Sequence, residues 1–238
     1  MSTVVLIGIQ ARLGSTRFPG KVLESLGDKP VLDHVILSAK SSLGYINEYS
    51  NRTNIRARLC LLVPETERHV YQQKIHVLKG PENNVLARYK KAMDYYKCDY
   101  IIRLTADCPL VPPYLITKII YAGVKGGYDY FSNVDLLCRT YPDGFDVEFV
   151  SRKALSWVET HPQTTVQHKE HVTLLIRELC PTEELKMGTV LGYLDLSSLK
   201  ISLDLKEDLL DIQQRYTSLG KKLTLAQSLY GVQNVQRF

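Results

Sequence analysis

The sequence predicts an α/β fold with a mainly parallel sheet covered by helices. Short apolar runs rich in β-branched residues alternate with segments of helical period, which is the pattern of such a sheet. A Gly-rich loop follows the first apolar run, and open α/β sheets place their ligands at that edge. The chain has 238 residues and shows no linker, repeat or low-complexity tract. We therefore expect residues 1–238 to form a single domain.

The first half of the chain alternates regularly. Strands are predicted at Val4–Ile9, Arg58–Val63, Lys74–Leu78 and Tyr100–Leu104. Helices are predicted at Val31–Ser41, Glu67–Gln73, Asn84–Tyr96 and Tyr114–Ala122, the last after two prolines that suit a helix start. The segment Leu43–Arg56 is polar, and we expect it to be irregular.

The second half is less regular. A strand is predicted at Phe145–Val150, helices at Lys153–Glu159 and Lys169–Glu178, and one or two further strands within Gly192–Leu203. The segment Lys206–Leu219 predicts an amphipathic helix that Gly220 stops.

The amino-acid composition limits the kinds of ligand and partner that the protein is expected to bind. The formal charge is +5, from 30 basic against 25 acidic residues, which favours an anionic ligand. No long Lys/Arg run or aromatic-interleaved basic patch points to nucleic acid. No apolar stretch approaches the length needed to span a membrane, and the amino terminus lacks a leader pattern. Five scattered cysteines without a CxxC indicate reduced thiols rather than a zinc site or a disulfide framework. We expect a cytoplasmic protein.

The loop ARLGSTRFPGKVL (Ala11–Leu23) is suited to a polyanion because it combines two glycines with three cations. It is not a P-loop, since five residues separate Gly14 from Gly20 and Val22 follows Lys21, where that motif needs Ser or Thr. The alternative is a solvated surface loop whose charges are incidental.

Two aspartates are candidate metal ligands. Asp107, in RLTADCPLVPP, ends a predicted strand, where it could hold a Mg²⁺ that bridges nucleotide phosphates or could simply start a turn. Asp204 ends another apolar run, and with Glu207 three residues on it resembles a capping box, a role compatible with metal binding. If the two strands are neighbours, the carboxylates face the basic loop, as metal-assisted phosphoryl or nucleotidyl transfer requires.

Further polar residues cluster between residues 139 and 171. Asp143, Asp146 and Glu148 fall within six residues, and the period of two puts Asp146 and Glu148 on one strand face, exposed or lining a polar pocket. His168 and His171 are spaced i, i+3. We weigh a zinc site there below a polar helix face or substrate contacts, because no third ligand has a suitable spacing.

Read together, the motifs QARLGSTRFPGKVL, RLTADCPL, RTYPDGFDVE, EHV and LDLKEDL resemble, in order and spacing, the cytidylyltransferase family. The resemblance runs from Gln10 to about Tyr216. It is to the branch that includes the spore-coat polysaccharide biosynthesis protein F group, which is related to the acylneuraminate and 3-deoxy-manno-octulosonate cytidylyltransferases. It implies a Rossmann-like nucleotidyltransferase fold of the nucleotide-diphospho-sugar transferase type. It also implies CTP as donor, Mg²⁺, a CMP-linked product and release of pyrophosphate.

The resemblance also assigns residues. By motif, the CTP phosphates would be held by Arg12, Gly14, Ser15, Arg17 and Lys21, within a nucleotide site that also includes Gln10, Ala11 and Arg103. Asp107 and Asp204 would be the metal ligands, and Lys21, Arg12 and Asp107 would be catalytic. We expect the small anionic acceptor, a sugar acid or a phosphonate, to contact Asp143, Asp146, Glu148 and His171. A homodimer is a further expectation from the family.

The chain departs from the family pattern in two segments. KGPENNVLARYKKA (Lys79–Ala92) is similar to the family's RGSxxDVLxRYxxAA, with Asn84 for the aspartate and Lys79 for the arginine. LLVPETE replaces the usual stretch rich in Thr and Ser.

Two other functions fit the same loop. A metal-dependent glycosyltransferase would carry a DxD at the strand end, where this chain has Thr105-Ala106-Asp107. A catalytically silent nucleotide-binding homologue would be expected to have lost Asp107 or Lys21, and both are present.

Overall fold

The computed structural model describes residues 2–71, 75–134 and 138–219. The strands are β1 Thr3–Gln10, β2 Ser25–Leu26, β3 Lys29–Pro30, β4 Ile55–Pro64, β5 Val77–Gly80, β6 Tyr100–Thr105, β7 Tyr130–Ser132, β8 Glu148–Ser151 and β9 Met187–Thr189. The helices are α1 Val31–Glu48, α2 Ser50–Thr53, α3 Arg68–Tyr71, α4 Val85–Tyr96, α5 Pro113–Gly126, α6 Arg152–Thr160, α7 Val166–His171, α8 Leu174–Glu178 and α9 Lys206–Leu219. Three parts of these predictions lie outside the described residues. They are the first residue of the strand predicted at Lys74–Leu78, the last two residues of the helix predicted at Glu67–Gln73, and the helix stop predicted at Gly220.

Among the described residues, seven strands form one sheet in the order β5-β4-β1-β6-β8-β7-β9. The pairs β5–β4, β4–β1, β1–β6 and β7–β9 are parallel, whereas β8 runs antiparallel to both of its neighbours. The prediction of a mostly parallel sheet flanked by helices is confirmed.

The central strand β1 buries both of its faces, which explains its continuous apolar sequence. Val5, Ile7 and Ile9 face the layer that contains α1 and α5, while Leu6 faces the layer that contains α4 and α6. The strand therefore ends, at Gln10, in the middle of a sheet covered on both sides. Whatever follows it lies at the centre of the carboxyl edge.

Tyr89 of α4 fixes that helix against the strand ends. Its side chain is fully buried, and its hydroxyl donates to the carbonyls of Gly8 at 3.1 Å and Leu104 at 3.4 Å. A Cβ at Gly8 would lie 2.8 Å from the Tyr89 ring, so the close approach requires glycine there.

The prediction of an irregular segment at Leu43–Arg56 is wrong. Helix α1 continues to Glu48, α2 follows, and β4 already begins at Ile55. The helix continues because Leu43 and Ile46 keep the helical period and pack into the core formed with α5.

Two predictions in the second half are also wrong in form. The helix predicted over Lys169–Glu178 is two helices, α7 and α8, separated at Val172, whose φ is 61°.

The strand predicted within Gly192–Leu203 does not form, because this described segment bonds to the preceding loop instead. The Leu196 N–H donates to the Thr140 carbonyl, and the Ile201 N–H donates to the Asp143 carbonyl. The strand of this region is β9, paired with β7.

Residues 2–71, 75–134 and 138–219 are the part of the chain that bears on membrane spanning by helices. None of their helices combines the length and the apolar content that crossing a bilayer requires.

Packing of α5 on the sheet predicts opposite effects for two helical glycines. A Cβ at Gly123 would lie 2.6 Å from the ring of buried Phe149, whereas a Cβ at Gly44 of α1 meets nothing within 4 Å. We expect Gly123→Ala to lower the free energy of unfolding by about 1–3 kcal/mol through overpacking. Gly44→Ala should raise it by about 0.5–1 kcal/mol through helix propensity. Urea denaturation measures both; equal stabilisation by the two variants would contradict the packing of α5 on Phe149.

Candidate active site

A cavity of about 350 Å³ lies at the carboxyl edge of the sheet. Its walls come from the loop after β1, the end of β6, helix α4, strand β8 and the segments around α7, α8 and residue 204. The parallel strands β4, β1 and β6 end at this edge, and antiparallel β8 begins there, since Glu148 pairs with Arg103. The topology therefore brings distant parts of the chain to one pocket.

Nearly all the residues that the sequence singled out line this pocket. They are Gln10, Ala11, Arg12, Ser15, Arg17, Lys21, Arg103, Asp107, Asp143, Asp146, Glu148, His171 and Asp204. Gly14 is not among the lining residues; a Cβ there would lie 3.2 Å from Glu82 Oε1, so its small size accommodates that side chain.

Lys21 is a buried cation of the pocket, 8% exposed. Its Nζ donates to Asp107 Oδ2 at 2.6 Å, to the Leu203 carbonyl at 2.6 Å and to Asp204 Oδ1 at 3.3 Å. Gly20 makes this possible, because its φ of 73° turns the chain into the 3₁₀ turn that carries Lys21 inward. All three ammonium protons are thus directed to acceptors.

Asp107 and Asp204 meet by a route other than the predicted one. Asp107 follows β6, but Asp204 ends no strand; the Leu203 N–H donates to the Asp107 carbonyl at 2.9 Å and places Asp204 beside it. The capping prediction also misplaces the acid, because Asp208, not Glu207, accepts from the N–H groups of Asp204 and Leu205. The Asp204 carboxylate is left for cations, and accepts from Arg17 at 2.8 Å.

The two carboxylates fit a divalent cation that shares its coordination with a ligand. They converge on one positive atom, Lys21 Nζ, and their side chains are 27% and 22% exposed, so both are reachable from the pocket. No cluster of three or more His, Cys, Asp or Glu suited to a metal occurs within the described part of the chain. A site with two carboxylates matches Mg²⁺, which binds through one or two carboxylates and takes phosphate oxygens and water for the rest.

At the other end of the pocket, the buried side chain of Glu148 forms an ion pair with Arg103. It accepts from Arg103 and, at 2.6 Å, from the Tyr130 hydroxyl. Burial alone would raise the pKa of Glu148, but the guanidinium groups of Arg103 and Arg177 outweigh it and hold the pKa below its ordinary value of 4.5. Arg103 also donates to Gln10 Oε1 at 3.1 Å, which links this pair to the end of β1.

The other two predicted acceptor acids are partnered as well. Asp146 precedes β8 rather than sharing a strand face with Glu148, so that part of the prediction is wrong, and its carboxylate pairs with Arg139. Burial raises the pKa of Asp146 above its ordinary value, and Arg139 partly offsets this. Asp143 accepts from Ser202 Oγ at 2.9 Å and lies 3.8 Å from Arg139.

The two histidines have different surroundings. His168 Nδ1 accepts from the Thr165 N–H and its Nε2 lies 2.9 Å from Glu178, so it caps α7 and joins it to α8. His171 lines the pocket. Burial lowers the pKa of His171, and the charges of Arg103, Arg177 and Arg12 lower it further against the opposite effect of Glu170.

Sequence reasoning missed four charged residues of this pocket region. Arg88 of α4 is buried, lines the pocket and donates to the Ala11 and Leu62 carbonyls. Arg139 pairs with Asp146, Glu170 pairs with Arg12 at 2.8 Å, and Arg177 lines the pocket from α8. Glu170 and Arg139 lie inside motifs that were singled out, so their charge was a usable signal. Arg177 had none, because the break at Val172 that directs it to the pocket is invisible in the helical period.

Comparison with known proteins places this pocket in a family. A family model described as cytidylyltransferase matches residues 6–47, which contain most of β1 and the loop with Lys21. The chain is 31% identical over 221 residues to the spore coat polysaccharide biosynthesis protein SpsF of Bacillus subtilis, covering 92% of this chain and 88% of the relative. The chain belongs to the cytidylyltransferase family. The resemblance noted from the motifs is thereby confirmed over nearly the whole chain.

Solved structures agree with this cytidylyltransferase-family fold. A cytidylyltransferase from Leptospira borgpetersenii superimposes with a TM-score of 0.76 at 23% identity, covering 98% of this chain and 99% of that one. CMP:2-keto-3-deoxy-manno-octonic acid synthetase complexed with CTP gives a TM-score of 0.63 at 15% identity, covering 91% and 99% of the two chains. The predicted nucleotidyltransferase fold is confirmed.

The burial of the Arg103–Glu148 pair predicts the effect of Glu148→Gln on stability. The amide keeps the shape but leaves a buried guanidinium without its counter-charge, so we expect a loss of about 3–5 kcal/mol at pH 7. The wild-type advantage depends on ionised Glu148, whose pKa is lowered by folding. This difference in the free energy of unfolding is therefore fully present when the pH is above about 4.5, the ordinary pKa of Glu. It is lost as the pH falls through the lower pKa of Glu148 in the folded protein.

Urea denaturation of both proteins between pH 3 and 7 checks this. The double variant Arg103→Met/Glu148→Leu is the control, since removing both charges should cost far less than removing one. A Glu148→Gln protein as stable as wild type at pH 7 would contradict the assignment of Glu148 as a structural partner of Arg103.

Proposed function

We propose that the protein is a Mg²⁺-dependent cytidylyltransferase. In the proposed reaction it transfers CMP from CTP to an oxygen of a small anionic acceptor, a sugar acid or a phosphonate, and releases pyrophosphate. The observation that carries the proposal is the convergence of Asp107 and Asp204 on Lys21 Nζ, directly beneath the basic loop after β1. Two carboxylates and several cations around one point are what a triphosphate and its metal require.

The order of the site along the sheet edge suggests how the substrates lie. Arg12, Ser15 and Arg17 of the loop would bind the triphosphate. They lie next to the carboxylates of Asp107, which follows β6, and Asp204, which precedes α9. The acceptor would enter from the β8 side, where Glu148 and His171 line the pocket. Donor and acceptor would then approach the reacting phosphorus from different sides, as in-line displacement needs.

In the reaction itself, the acceptor oxygen would bond to the α-phosphorus while the bond from that phosphorus to the pyrophosphate oxygen breaks. A hydroxyl acceptor would give up its proton to solvent. Lys21 and Arg12 would offset the charge that grows on the α-phosphate and on the leaving pyrophosphate. Both cations are held before substrate arrives, Lys21 by the carboxylates and Arg12 by Glu170. The site would thus contribute mainly positioning and charge neutralisation.

Asp107 and Asp204 would hold the metal ion. When bound there, Mg²⁺ would supply charge neutralisation and alignment for the triphosphate. The convergence of the two carboxylates, each with exposed area toward the pocket, supports this choice of ligands.

The comparisons support the substrates in broad terms. The solved synthetase among the structural neighbours is described as complexed with CTP and as making CMP:2-keto-3-deoxy-manno-octonic acid. The Bacillus relative is named for polysaccharide biosynthesis. A homodimer, a cytoplasmic location and a single domain over residues 1–238 stay predictions.

Thermal unfolding with CTP, UTP, ATP and GTP, each with and without Mg²⁺, tests the proposal. A ligand at a hundredfold excess over its Kd should add about 2.7 kcal/mol to the stability of the native state. We expect the largest rise in Tm with CTP and Mg²⁺ together. A larger rise with nucleotide sugars would instead favour the glycosyltransferase. Binding of CTP without Mg²⁺, with no acceptor turned over, would favour the silent homologue.

Two substitutions test the residues. Lys21→Ala and Asp107→Asn should each lower turnover by about 10²–10³, because each removes a charge aimed at the reacting phosphate or its metal. Pyrophosphate release in the presence of CTP, Mg²⁺ and a panel of sugar acids and phosphonates measures this, with circular dichroism to check the fold. Lys40→Ala and Asp211→Asn, at exposed helical positions, are matched controls expected to keep full activity. Near-normal turnover in either site variant would contradict the assignment of Lys21 and Asp107 to the active site.

A further inference from the structure

The basic loop after β1 is closed around one residue, Leu13. The Leu13 carbonyl accepts from the N–H of Ser15 at 2.8 Å and from the N–H of Gly20 at 2.9 Å. The Leu13 side chain packs against the buried core on the α1 side of the sheet. Gly20 directly precedes Lys21, so its bond to Leu13 fixes the point at which the chain turns to carry the ammonium inward. The conformation of the whole loop therefore depends on where Leu13 is held.

The N–H of Leu13 is bound by an acid from a distant part of the chain. It donates to Glu67 Oε2 at 2.8 Å, across a sequence separation of 54 residues. Glu67 is half-buried and ends the 3₁₀ turn Glu65–Glu67, which follows β4. Strands β1 and β4 are parallel neighbours, so the segments after them meet at the same edge of the sheet. A hydrogen bond to a carboxylate is about twice as strong as one to a neutral oxygen. Glu67 thus fixes the loop from outside it.

A buried contact orients the Glu67 carboxylate. Tyr71 of α3 is fully buried, and its hydroxyl lies 3.5 Å from Glu67 Oε2, the same oxygen that accepts from Leu13. Burial raises the pKa of Tyr71, and the charge of Glu67 raises it further, so the hydroxyl keeps the proton that it directs to the carboxylate. Glu67 is not among the residues that line the cavity. Its effect on a ligand would therefore pass through Leu13.

Arg88 of α4 binds the same loop by a second backbone group. Its Nη1 donates to the Ala11 carbonyl at 3.4 Å, and the residue is 2% exposed. Burial lowers the pKa of Arg88, while the negative charge of Glu67 acts in the opposite direction. The guanidinium and the carboxylate therefore stabilise each other, and each binds one backbone group of the loop, the Ala11 carbonyl or the Leu13 N–H. Arg12 lies between these two groups in the chain.

We propose that Glu67 is a positioning residue, which holds the loop closed through the Leu13 N–H so that Arg12 and Lys21 are in place before CTP binds. The inference rests on the proposed function, to which it adds a residue outside the pocket. Without the carboxylate, the partly buried Leu13 N–H loses its acceptor, and the closed loop becomes one of several conformations. The apparent affinity for a ligand falls with the fraction of protein that is competent to bind it. Bound CTP closes the loop again, so turnover at saturation should not change.

CTP affinity of three variants tests the inference. Isothermal titration of CTP with Mg²⁺ into the full chain measures Kd. Glu67→Ala should weaken binding about 5- to 30-fold, because the Leu13 N–H is left unpaired. Glu67→Gln keeps an acceptor oxygen without the charge and should weaken binding about two- to fivefold. Glu65→Ala is the matched control from the same 3₁₀ turn, where Glu65 pairs with Lys79, and should bind CTP like wild type.

Turnover separates positioning from catalysis. With the panel of sugar acids and phosphonates as acceptors, pyrophosphate release should show a raised KM for CTP in Glu67→Ala and an unchanged kcat. A fall in kcat with KM unchanged would contradict the inference, because Glu67 would then act in the reaction step itself.

Amide hydrogen exchange of the protein without ligand gives a readout that does not depend on CTP. Exchange in residues 11–20 should be faster in Glu67→Ala than in wild type and intermediate in Glu67→Gln, while residues 3–10 of β1 stay protected in both. Glu65→Ala should exchange like wild type throughout. If Glu67→Ala fails to fold, the loop exchange and the CTP affinity of Glu67→Gln decide.

Two results would overturn the role of Glu67. One is loop exchange and CTP affinity in both Glu67 variants equal to those of wild type. The other is faster exchange over β1 as well as the loop, because Glu67 would then stabilise the fold in general. If wild type does not bind CTP, the proposed function fails, while the loop exchange still decides whether Glu67 holds Leu13.

Discussion

The buried ammonium of Lys21 is the contact on which the site depends. An enclosed charge is tolerated only when acceptors surround it, and here the acceptors come from three places far apart in the chain. Asp107 follows β6, the Leu203 carbonyl and Asp204 precede α9, and Lys21 itself ends the loop after β1. Satisfying one cation thus closes the carboxyl edge of the sheet around a pocket. The same two carboxylates that stabilise Lys21 are the groups that fit a metal ion.

Three arginines of the pocket region form ion pairs with acids from other segments. Arg12 holds Glu170, Arg103 holds Glu148, and Arg139 holds Asp146. Each pair links a different segment to the sheet edge, so the pocket is shaped by charges that neutralise one another. Among the described residues, Arg88 and Arg177 line the pocket and each has a shielded Nε without a hydrogen-bond partner.

Much of the fold and the pocket could be predicted because the signals are local. The continuous apolar run of β1 predicts a strand buried on both faces. The loop after it has its glycines and cations close together in the sequence. Asp107 is predictable since it ends a strand whose neighbour is β1. What could not be predicted depends on tertiary contacts. The residues before Asp204 alternate like a strand, yet their backbone bonds to the 140–143 loop. The capping acid is Asp208 and not Glu207, a difference of one position that only the backbone geometry fixes. Val172 interrupts a helix that the sequence pattern predicts to be continuous. The position of Arg177 at the pocket therefore could not be predicted.

The proposed function requires Asp107 and Asp204, which hold Lys21 in this structure, to be the residues that would bind the divalent cation of the triphosphate. The most direct measurement is a crystal structure of the protein with CTP and Mn²⁺, with the metal located by anomalous scattering. We expect one peak within bonding distance of both carboxylates and of the triphosphate, with Lys21 Nζ moved from between the acids to a phosphate oxygen. A peak elsewhere, or CTP bound with the Lys21 contacts unchanged, would contradict it.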